Sequence, residues 1–192
     1  RDAGRHMHAL APHYYCGSGH HSRSATDFEE KDWFEQLRRA LQMDELITRH
    51  RAIMDQHDPE QRVGMLIDEW GAWHAVEPGT NPRFLYQQNS LRDALVAGVT
   101  LNIFNQHCER VRGGNIAQTV NVLQAMVLTE EDGDRMVCTP TYHVFGMYRD
   151  HQDAVRVPAV LRAEEYSCGE AAVPALSVSA SRAATGTILV SL

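Results

Sequence analysis

Residues 63–74, with the sequence VGMLIDEWGAWH, carry two adjacent carboxylates and two indoles directly after a short apolar run. A run of this length predicts a strand that is buried on both faces, as in a parallel sheet. Asp68 and Glu69 would then lie at the carboxyl end of the strand, where open sheets and barrels place their catalytic groups. Trp70 and Trp73 are suited to pack against the C–H face of a sugar ring. The pattern fits equally well an acidic pair that caps the next helix, with both tryptophans in the core.

The first 128 residues alternate between strand and helix patterns. The predicted strands are residues 9–16, the run that leads to Glu69, and a segment that ends at 115–118; the predicted helices are residues 27–41, 44–57, 81–108 and 120–128. In the third helix, the predicted buried stripe consists of Leu91, Leu95, Val99 and Ile103. This alternation predicts a parallel α/β arrangement. With only about three strand–helix units, it fits either the last part of a (β/α)8 barrel or a piece of a doubly wound sheet.

The pattern of residue types changes after Thr129. Short runs rich in Val, Thr, Ser and Ala are separated by the turn residues around Gly133, Pro140, Pro158 and Pro174. Such a pattern is typical of short antiparallel strands, with a helical turn expected at residues 142–148. We therefore predict two domains, an α/β domain over 1–128 and the beginning of a β domain over 129–192.

Composition excludes several classes of function. The chain has 192 residues and a net charge of −7, which argues against a nucleic-acid partner, and it contains no apolar run long enough to span a membrane. Its histidine pairs, His6-x-His8 and His20-His21, are not completed at zinc-site spacing by a cysteine or a carboxylate, so no metal site is predicted. Four widely spaced cysteines indicate free thiols in a reducing compartment, although the same spacing also allows a disulfide.

Several longer motifs together resemble one enzyme family. They are PHYY, LIDEWGAWH, EPGTNPRFLYQQNSLRDALVAG, RGGNIAQTVNVLQAMVLTE and TPTYHVFGMYRDHQ, and they cover nearly all of residues 5–160. In type and order they resemble the α-L-arabinofuranosidases of glycoside hydrolase family 51. The resemblance implies a (β/α)8 barrel followed by a β-sandwich, of which this chain would hold the last three barrel strands and the first part of the sandwich.

The resemblance also implies roles for individual residues. Glu69 matches the family's catalytic nucleophile, and Trp73 matches the second tryptophan of the same motif, which lines the sugar pocket. His13 and Tyr15 match the His-x-Tyr pair that contacts substrate and nucleophile, and Gln118 matches a glutamine that hydrogen-bonds the arabinose. Asp68, by contrast, is expected on the opposite face of the strand and is interpreted as structural.

The sequence departs from the family pattern at three places. Gly71 stands where several members carry Asn, and Cys108-Glu109 stands where Ala-Asp is common. The family's acid/base glutamate lies in an Asn-Glu motif at an earlier strand, and this sequence contains no Asn-Glu dipeptide. Because the chain starts without Met and closes on an apolar strand, we expect a C-terminal fragment that lacks half of the catalytic pair.

The implied activity is that of a retaining hydrolase that releases terminal α-L-arabinofuranosyl groups from polysaccharides and oligosaccharides. Two alternatives stay open: a family 51 endoglucanase, and a truncated product without activity of its own. The resemblance implies no cofactor and a homo-oligomer, with the hexamer frequent in the family. A cytoplasmic location is expected from the cysteine pattern and from the family habit of acting on imported oligosaccharides.

Overall fold

The computed structural model describes residues 3–17, 24–130 and 132–192. Its first sheet is parallel throughout, with β3 (Gly64–Ala72) at the centre, β1 (Ala9–Leu10) and β2 (His13–Cys16) on one side, and β4 (Val111–Ile116) on the other. The single strand predicted over residues 9–16 is divided in two at Pro12, which has no N–H to donate to a neighbouring strand.

A single 28-residue helix, α1 (Glu30–His57), connects β2 to β3, where the sequence had predicted two helices. The segment around Leu41 and Asp44 contains no Gly or Pro, so nothing in it interrupts the helix. Glu29 and Asp32 form a capping box at its start. The helix ends before Asp58-Pro59, as predicted.

Helix α2 (Leu91–Gln106) connects β3 to β4 and starts ten residues later than predicted. A short 3-10 helix (Pro82–Phe84) and a loop occupy the preceding segment, and Ser90 with Asp93 forms the capping box of α2. The predicted stripe was wrong in its first half, because the side chains of Leu91 and Leu95 are exposed. The helix instead packs through neighbouring buried positions, which are Ala94, Val96, Ala97, Ile103 and Phe104.

The helix predicted at residues 120–128 does not form. Asn121 and Leu123 both have left-handed backbone conformations, with φ of 59° and 52°, which break a right-handed helix. The segment is a series of bends that ends in strand β5 (Val127–Thr129).

The remainder of the chain consists of short antiparallel strands and one helix, as predicted for it. Strand β5 pairs with β6 (Met136–Cys138), and helix α3 (Pro140–Tyr148) follows, continued by a 3-10 helix (Arg149–His151). The other strands are β7 (Val155–Val157), β8 (Glu165–Cys168), β9 (Ala171–Pro174), β10 (Ser179–Arg182) and β11 (Ile188–Ser191). β8 and β9 form a hairpin, and β10 lies between β7 and β11 in a three-stranded sheet.

The main core lies on one face of the parallel sheet, beneath the helices. Met65, Ile67 and Trp70 of β3 point into it and meet buried residues of all three helices. The opposite face of the sheet is open, since Leu66 is 41% exposed and Leu10 is 37% exposed. None of the helices in the described part of the chain combines the length and apolarity that a membrane crossing requires.

Candidate active site

A β-bulge in β3 places both carboxylates at the open edge of the sheet. Ile67 is opposite Gly114 and Trp70 is opposite Ile116, so Asp68 and Glu69 together face a single residue of β4. Where two residues of one strand face one residue of its partner, the side chains no longer alternate strictly between the two faces of the sheet. The prediction that Asp68 faces away from Glu69 was therefore wrong, because it assumed a regular strand.

His13 lies between the two carboxylates. It stands opposite Glu69 in the parallel pairing of β2 with β3. Its Nδ1 is 2.6 Å from Glu69 Oε2, and its Nε2 is 3.0 Å from Asp68 Oδ1. One imidazole thus joins both acidic side chains of the bulge, in a group we call the His13 cluster (His13, Asp68 and Glu69).

Tyr15 and Trp73 form an aromatic wall beside this cluster. Their rings meet edge to face with centroids 5.0 Å apart. The pKa of Tyr15 is raised above its ordinary value, first by burial of the phenol and then by the Glu69 carboxylate. The hydroxyl of Tyr15 is itself buried, and the carboxylate of Glu69 is the charged group beside it.

Trp70 belongs to the core and not to the site. It is 1% exposed, its ring meets that of Phe104 edge to face at 5.4 Å, and it stacks on Phe145 at 6.1 Å. Of the two roles that the sequence allowed for this indole, the structure supports the packing role.

Gln118 lies at the same edge of the sheet as Glu69. The preceding residue, Ala117, donates its N–H to the carbonyl of Trp70 at 2.9 Å, next to Glu69 in β3. Gln118 itself is exposed, and its N–H donates to the carbonyl of Val122. The structure thus brings His13, Tyr15, Glu69 and Trp73 together and leaves Gln118 at the rim.

A buried polar network, which no sequence pattern indicated, holds the end of β3. The N–H of Ala72 donates to Gln124 Oε1 at 2.7 Å, and its carbonyl accepts from Gln87 Nε2 at 3.1 Å. Gln87 also accepts the N–H of His74, whose Nε2 lies 2.8 Å from Asp93 Oδ1. Both glutamines lie in irregular segments without periodicity, so only the folded structure reveals their burial.

Comparison with known proteins identifies the family. The sequence model of the alpha-L-arabinofuranosidase C-terminal domain matches residues 68–188, which is more than half of the chain. The chain belongs to the alpha-L-arabinofuranosidase family. The resemblance drawn from its motifs is therefore confirmed.

Similar arabinofuranosidases are known from several bacteria. The chain is 42% identical over 98% of its length to an intracellular exo-alpha-L-arabinofuranosidase of Bacteroides ovatus. It is also 54% identical, with a TM-score of 0.92 over 97% of its length, to the crystal structure of the GH51 arabinofuranosidase from Xanthomonas axonopodis pv. citri. The AbfB structure from Bifidobacterium longum, at 22% identity and a TM-score of 0.75, shows the same fold. The chain spans only 37% of the Bacteroides protein and 38% of the Xanthomonas chain.

Gly71, where several arabinofuranosidases of family 51 carry Asn, has a backbone that favours glycine. Its φ is +141°, and a Cβ at this position would lie 3.2 Å from Gln124 Oε1 and 3.3 Å from Ile116 Cδ1. Glycine at this position, in place of the family's Asn, thus allows Gln124 to lie close to the end of β3.

Within the described residues, no three His, Cys, Asp or Glu side chains converge where they could hold a metal ion. His20 and His21, one of the two histidine pairs considered in the sequence, lie outside those residues. All four cysteines are free thiols, and Cys16 is buried.

Proposed function

We propose that this chain supplies the nucleophile of a retaining glycoside hydrolase that releases terminal α-L-arabinofuranosyl groups. The observation that carries the proposal is the position of Glu69. Its carboxylate lies at the carboxyl end of a parallel strand, 2.6 Å from His13 Nδ1 and beside Tyr15, at an open edge of the sheet.

In a retaining mechanism, Glu69 attacks the anomeric carbon and the bond to the leaving oxygen breaks, which forms a glycosyl-enzyme. Water then hydrolyses this intermediate. Both steps need a second carboxyl group about 5–5.5 Å away, which first protonates the leaving oxygen and then activates the water. Asp68, the other carboxylate that contacts His13, lies beside Glu69 on the same strand, so we assign the acid/base role to a glutamate outside residues 1–192.

The substrate proposal draws on the aromatic wall and on the relatives. Tyr15 and Trp73 offer an aromatic surface for one sugar ring, and Gln118 lies at the rim where an amide can bond a sugar hydroxyl. The relatives from Bacteroides ovatus and Bacillus subtilis are named intracellular exo-acting arabinofuranosidases. We extend to this protein their exo action and their intracellular location, and, from the motif resemblance, a homo-oligomeric state.

The parallel strands β1 to β4 fit the last three strands of a (β/α)8 barrel, with β1 and β2 as one interrupted strand. Residues 129–192 would then begin the β-sandwich. The exposed face of Leu10 and Leu66 supports this arrangement, because a closed barrel would cover that face. On this proposal, residues 1–192 alone have no hydrolytic activity.

The test is a hybrid enzyme in which residues 1–192 replace the corresponding part of the Xanthomonas enzyme. We expect the hybrid to hydrolyse 4-nitrophenyl α-L-arabinofuranoside and not a soluble β-glucan. Glu69→Ala should lower kcat on the order of 10⁴- to 10⁶-fold, as loss of the nucleophile does in other hydrolases. Azide, which can replace the lost carboxylate, should restore turnover and yield an arabinofuranosyl azide of inverted configuration.

A matched control is Glu60→Ala, which removes an exposed carboxylate just before β3 whose partner Arg62 is also exposed. Its activity should equal that of the hybrid. Turnover of glucan alone would overturn the substrate proposal, and a Glu69→Ala hybrid with full activity would overturn the assignment of the nucleophile.

A further inference from the structure

Trp73 of the aromatic wall lies one residue beyond the end of β3. On one side, its N–H still donates to the carbonyl of Cys16 in β2 at 3.0 Å. On the other side, the register of β3 with β4 runs only as far as Trp70 opposite Ile116. We propose that Gln87 is a positioning residue that takes the place of a strand on this second side and thereby fixes the indole of Trp73. This inference rests on the proposed function, in which Trp73 contacts the sugar.

The side-chain amide of Gln87 bonds the backbone on both sides of Trp73. Its Nε2 donates to the carbonyl of Ala72 at 3.1 Å, and its Oε1 accepts the N–H of His74 at 2.8 Å. A residue of a parallel strand bonds its neighbour in the same way, because its N–H and its carbonyl reach two residues that are two positions apart. The amide of Gln87 therefore stands where a strand residue opposite Trp73 would stand.

These two bonds control the direction of the indole. The backbone on either side of Trp73 sets the direction of its Cα–Cβ bond, and the half-buried ring then meets Tyr15 edge to face at 5.0 Å. Gln87 is 1% exposed, so water does not replace its bonds, and the side chain acts on the sugar only through Trp73. A shift of about 1 Å in a group that positions a substrate can cost about 100-fold in rate.

The position requires a donor and an acceptor at the end of a side chain of this length. A carboxylate only accepts, and the thioether of methionine is no donor and a weak acceptor. Gln87→Met therefore keeps the shape of the side chain and removes both bonds. The ring of His74 keeps its own bond to Asp93 at 2.8 Å, so the segment stays attached to α2 in this variant.

The first test reads the position of the indole in the hybrid enzyme without using activity. N-bromosuccinimide oxidises indoles at a rate that follows their exposure, and peptide mass spectrometry assigns the oxidation to single tryptophans. We expect Gln87→Met to make Trp73 react several-fold faster. Trp70, which is buried in the core, is the internal reference, and its rate should stay unchanged as long as the fold is intact.

The second test is a double-mutant cycle on kcat/KM for 4-nitrophenyl α-L-arabinofuranoside. We expect Gln87→Met to lower kcat/KM by about 10- to 100-fold, the scale of a misplaced positioning group. In the Trp73→Ala background, the same change should alter kcat/KM by less than about twofold, because the side chain through which Gln87 acts is absent. Independent effects of the two substitutions would instead multiply.

A matched control is Asn102→Leu, which removes another buried amide from α2. Asn102 is 1% exposed and accepts hydrogen bonds from Tyr148 and Ser179, on the side of α2 that faces the β strands of the C-terminal part. This variant should also lower the midpoint of chemical denaturation, with kcat/KM and the oxidation of Trp73 unchanged. If Gln87→Met does not fold, Gln87→Asn carries both tests, since its amide is one methylene shorter and cannot make both bonds.

The outcomes separate this inference from the proposed function. If the hybrid is active and the Gln87 variants change neither Trp73 oxidation nor kcat/KM, or if their effect persists in full in the Trp73→Ala background, the positioning role is wrong and the proposed function stands. If the hybrid is inactive while the Xanthomonas enzyme is active, the proposed function fails. The oxidation of Trp73 then still decides whether Gln87 fixes the indole.

Discussion

In the function proposed above, Glu69 is the nucleophile, and a carboxylate attacks effectively only when neighbouring side chains orient it towards the reacting atom. His13 of β2 contacts one oxygen of Glu69, and the phenol of Tyr15 lies near the same carboxylate; burial of the phenol, and then this carboxylate, raise the pKa of Tyr15. These side chains come from separate strands, so their contact depends on the register of β2 with β3. The backbone conformation and packing of β3 also restrict which residues can occupy single positions in this strand.

Gly71 is one such residue, and we predict that Gly71→Asn destabilises the hybrid enzyme. A side chain at Gly71 would strain the backbone at its positive φ and would have to displace Gln124 Oε1, which lies 3.2 Å from the Cβ position. The free energy of unfolding should therefore fall by roughly 1–3 kcal/mol. Chemical denaturation would measure the change. The matched control is Gly98→Ala within α2, where a Cβ meets only Tyr148 at 3.9 Å, and this should stabilise the enzyme by about 0.5–1 kcal/mol. Equal stability of Gly71→Asn and the hybrid would show that this backbone tolerates a side chain.

At the scale of elements, the end of β3 is held by side chains from loops as well as by its neighbours in the sheet. Gln87 and Gln124 are 1% and 0% exposed, and both bond the backbone of Ala72. A buried polar group left without such a partner costs about 1–3 kcal/mol, so these bonds fix the strand end with little freedom. Helix α1 covers this sheet, and its own stability depends on charges along its surface.

In α1, Glu35 accepts from Arg38 Nε at 2.7 Å and from Arg39 Nε at 2.8 Å. The bond from Arg38 is the largest cause that lowers the pKa of Glu35 to about 2. A carboxyl with a lowered pKa stabilises the fold above its unfolded value and loses that contribution as the pH falls towards the folded value. Because the site is partly solvated, we expect Glu35→Gln to cost about 1 kcal/mol at pH 7.

Denaturation at pH 7, 5, 4 and 3 would test this prediction. The difference in the free energy of unfolding between the hybrid and its Glu35→Gln variant should shrink below about pH 4.5. Glu45→Gln is the matched control in the same helix. Among the described residues, Glu45 forms one ion pair, with Arg49, and both side chains are more exposed than those of the Glu35 group, so the loss of Glu45 should cost at most about 0.5 kcal/mol. A Glu35→Gln effect that stays constant with pH would contradict the electrostatic explanation.

At the scale of the whole molecule, the parallel sheet is covered on one face and open on the other. Within the described residues, β4 pairs only with β3, so its outer edge is free, and Leu10 and Leu66 are exposed on the open face. Free strand edges beside apolar surface favour association with other chains.

We therefore predict that residues 1–192, expressed alone, associate and bind a hydrophobic dye, whereas the hybrid enzyme does neither. Light scattering and dye fluorescence at matched protein concentration would compare them, with Leu66→Asn in the isolated chain expected to reduce dye binding. A monomeric isolated chain with a cooperative thermal transition and arabinofuranosidase activity would contradict both this prediction and the proposed lack of activity.

Much of the local structure could be predicted from the sequence because its causes are local. The apolar run before Asp68 predicted β3, Asp58-Pro59 predicted the end of α1, and residues 142–148 predicted most of α3. The helix predicted at 120–128 failed because Asn121 and Leu123 take left-handed conformations, and the N–H of Leu123 donates to the carbonyl of Leu85 in a distant segment. Likewise, the buried face of α2 follows from what packs against it, which spacing within the helix does not reveal.

For the candidate site, too, some features could be predicted from the sequence and others required the tertiary structure. The sequence by itself determined the chemistry available, with Glu69 at a strand end, Tyr15 and Trp73 as aromatic neighbours, and motifs that indicate the arabinofuranosidase family. Only the tertiary structure decided that Asp68 turns towards His13 and that Trp70 enters the core. The physical reason is that a bulge arises where two strands with different residue counts pair, and a contact such as that of Gln124 with Ala72 joins residues 52 positions apart.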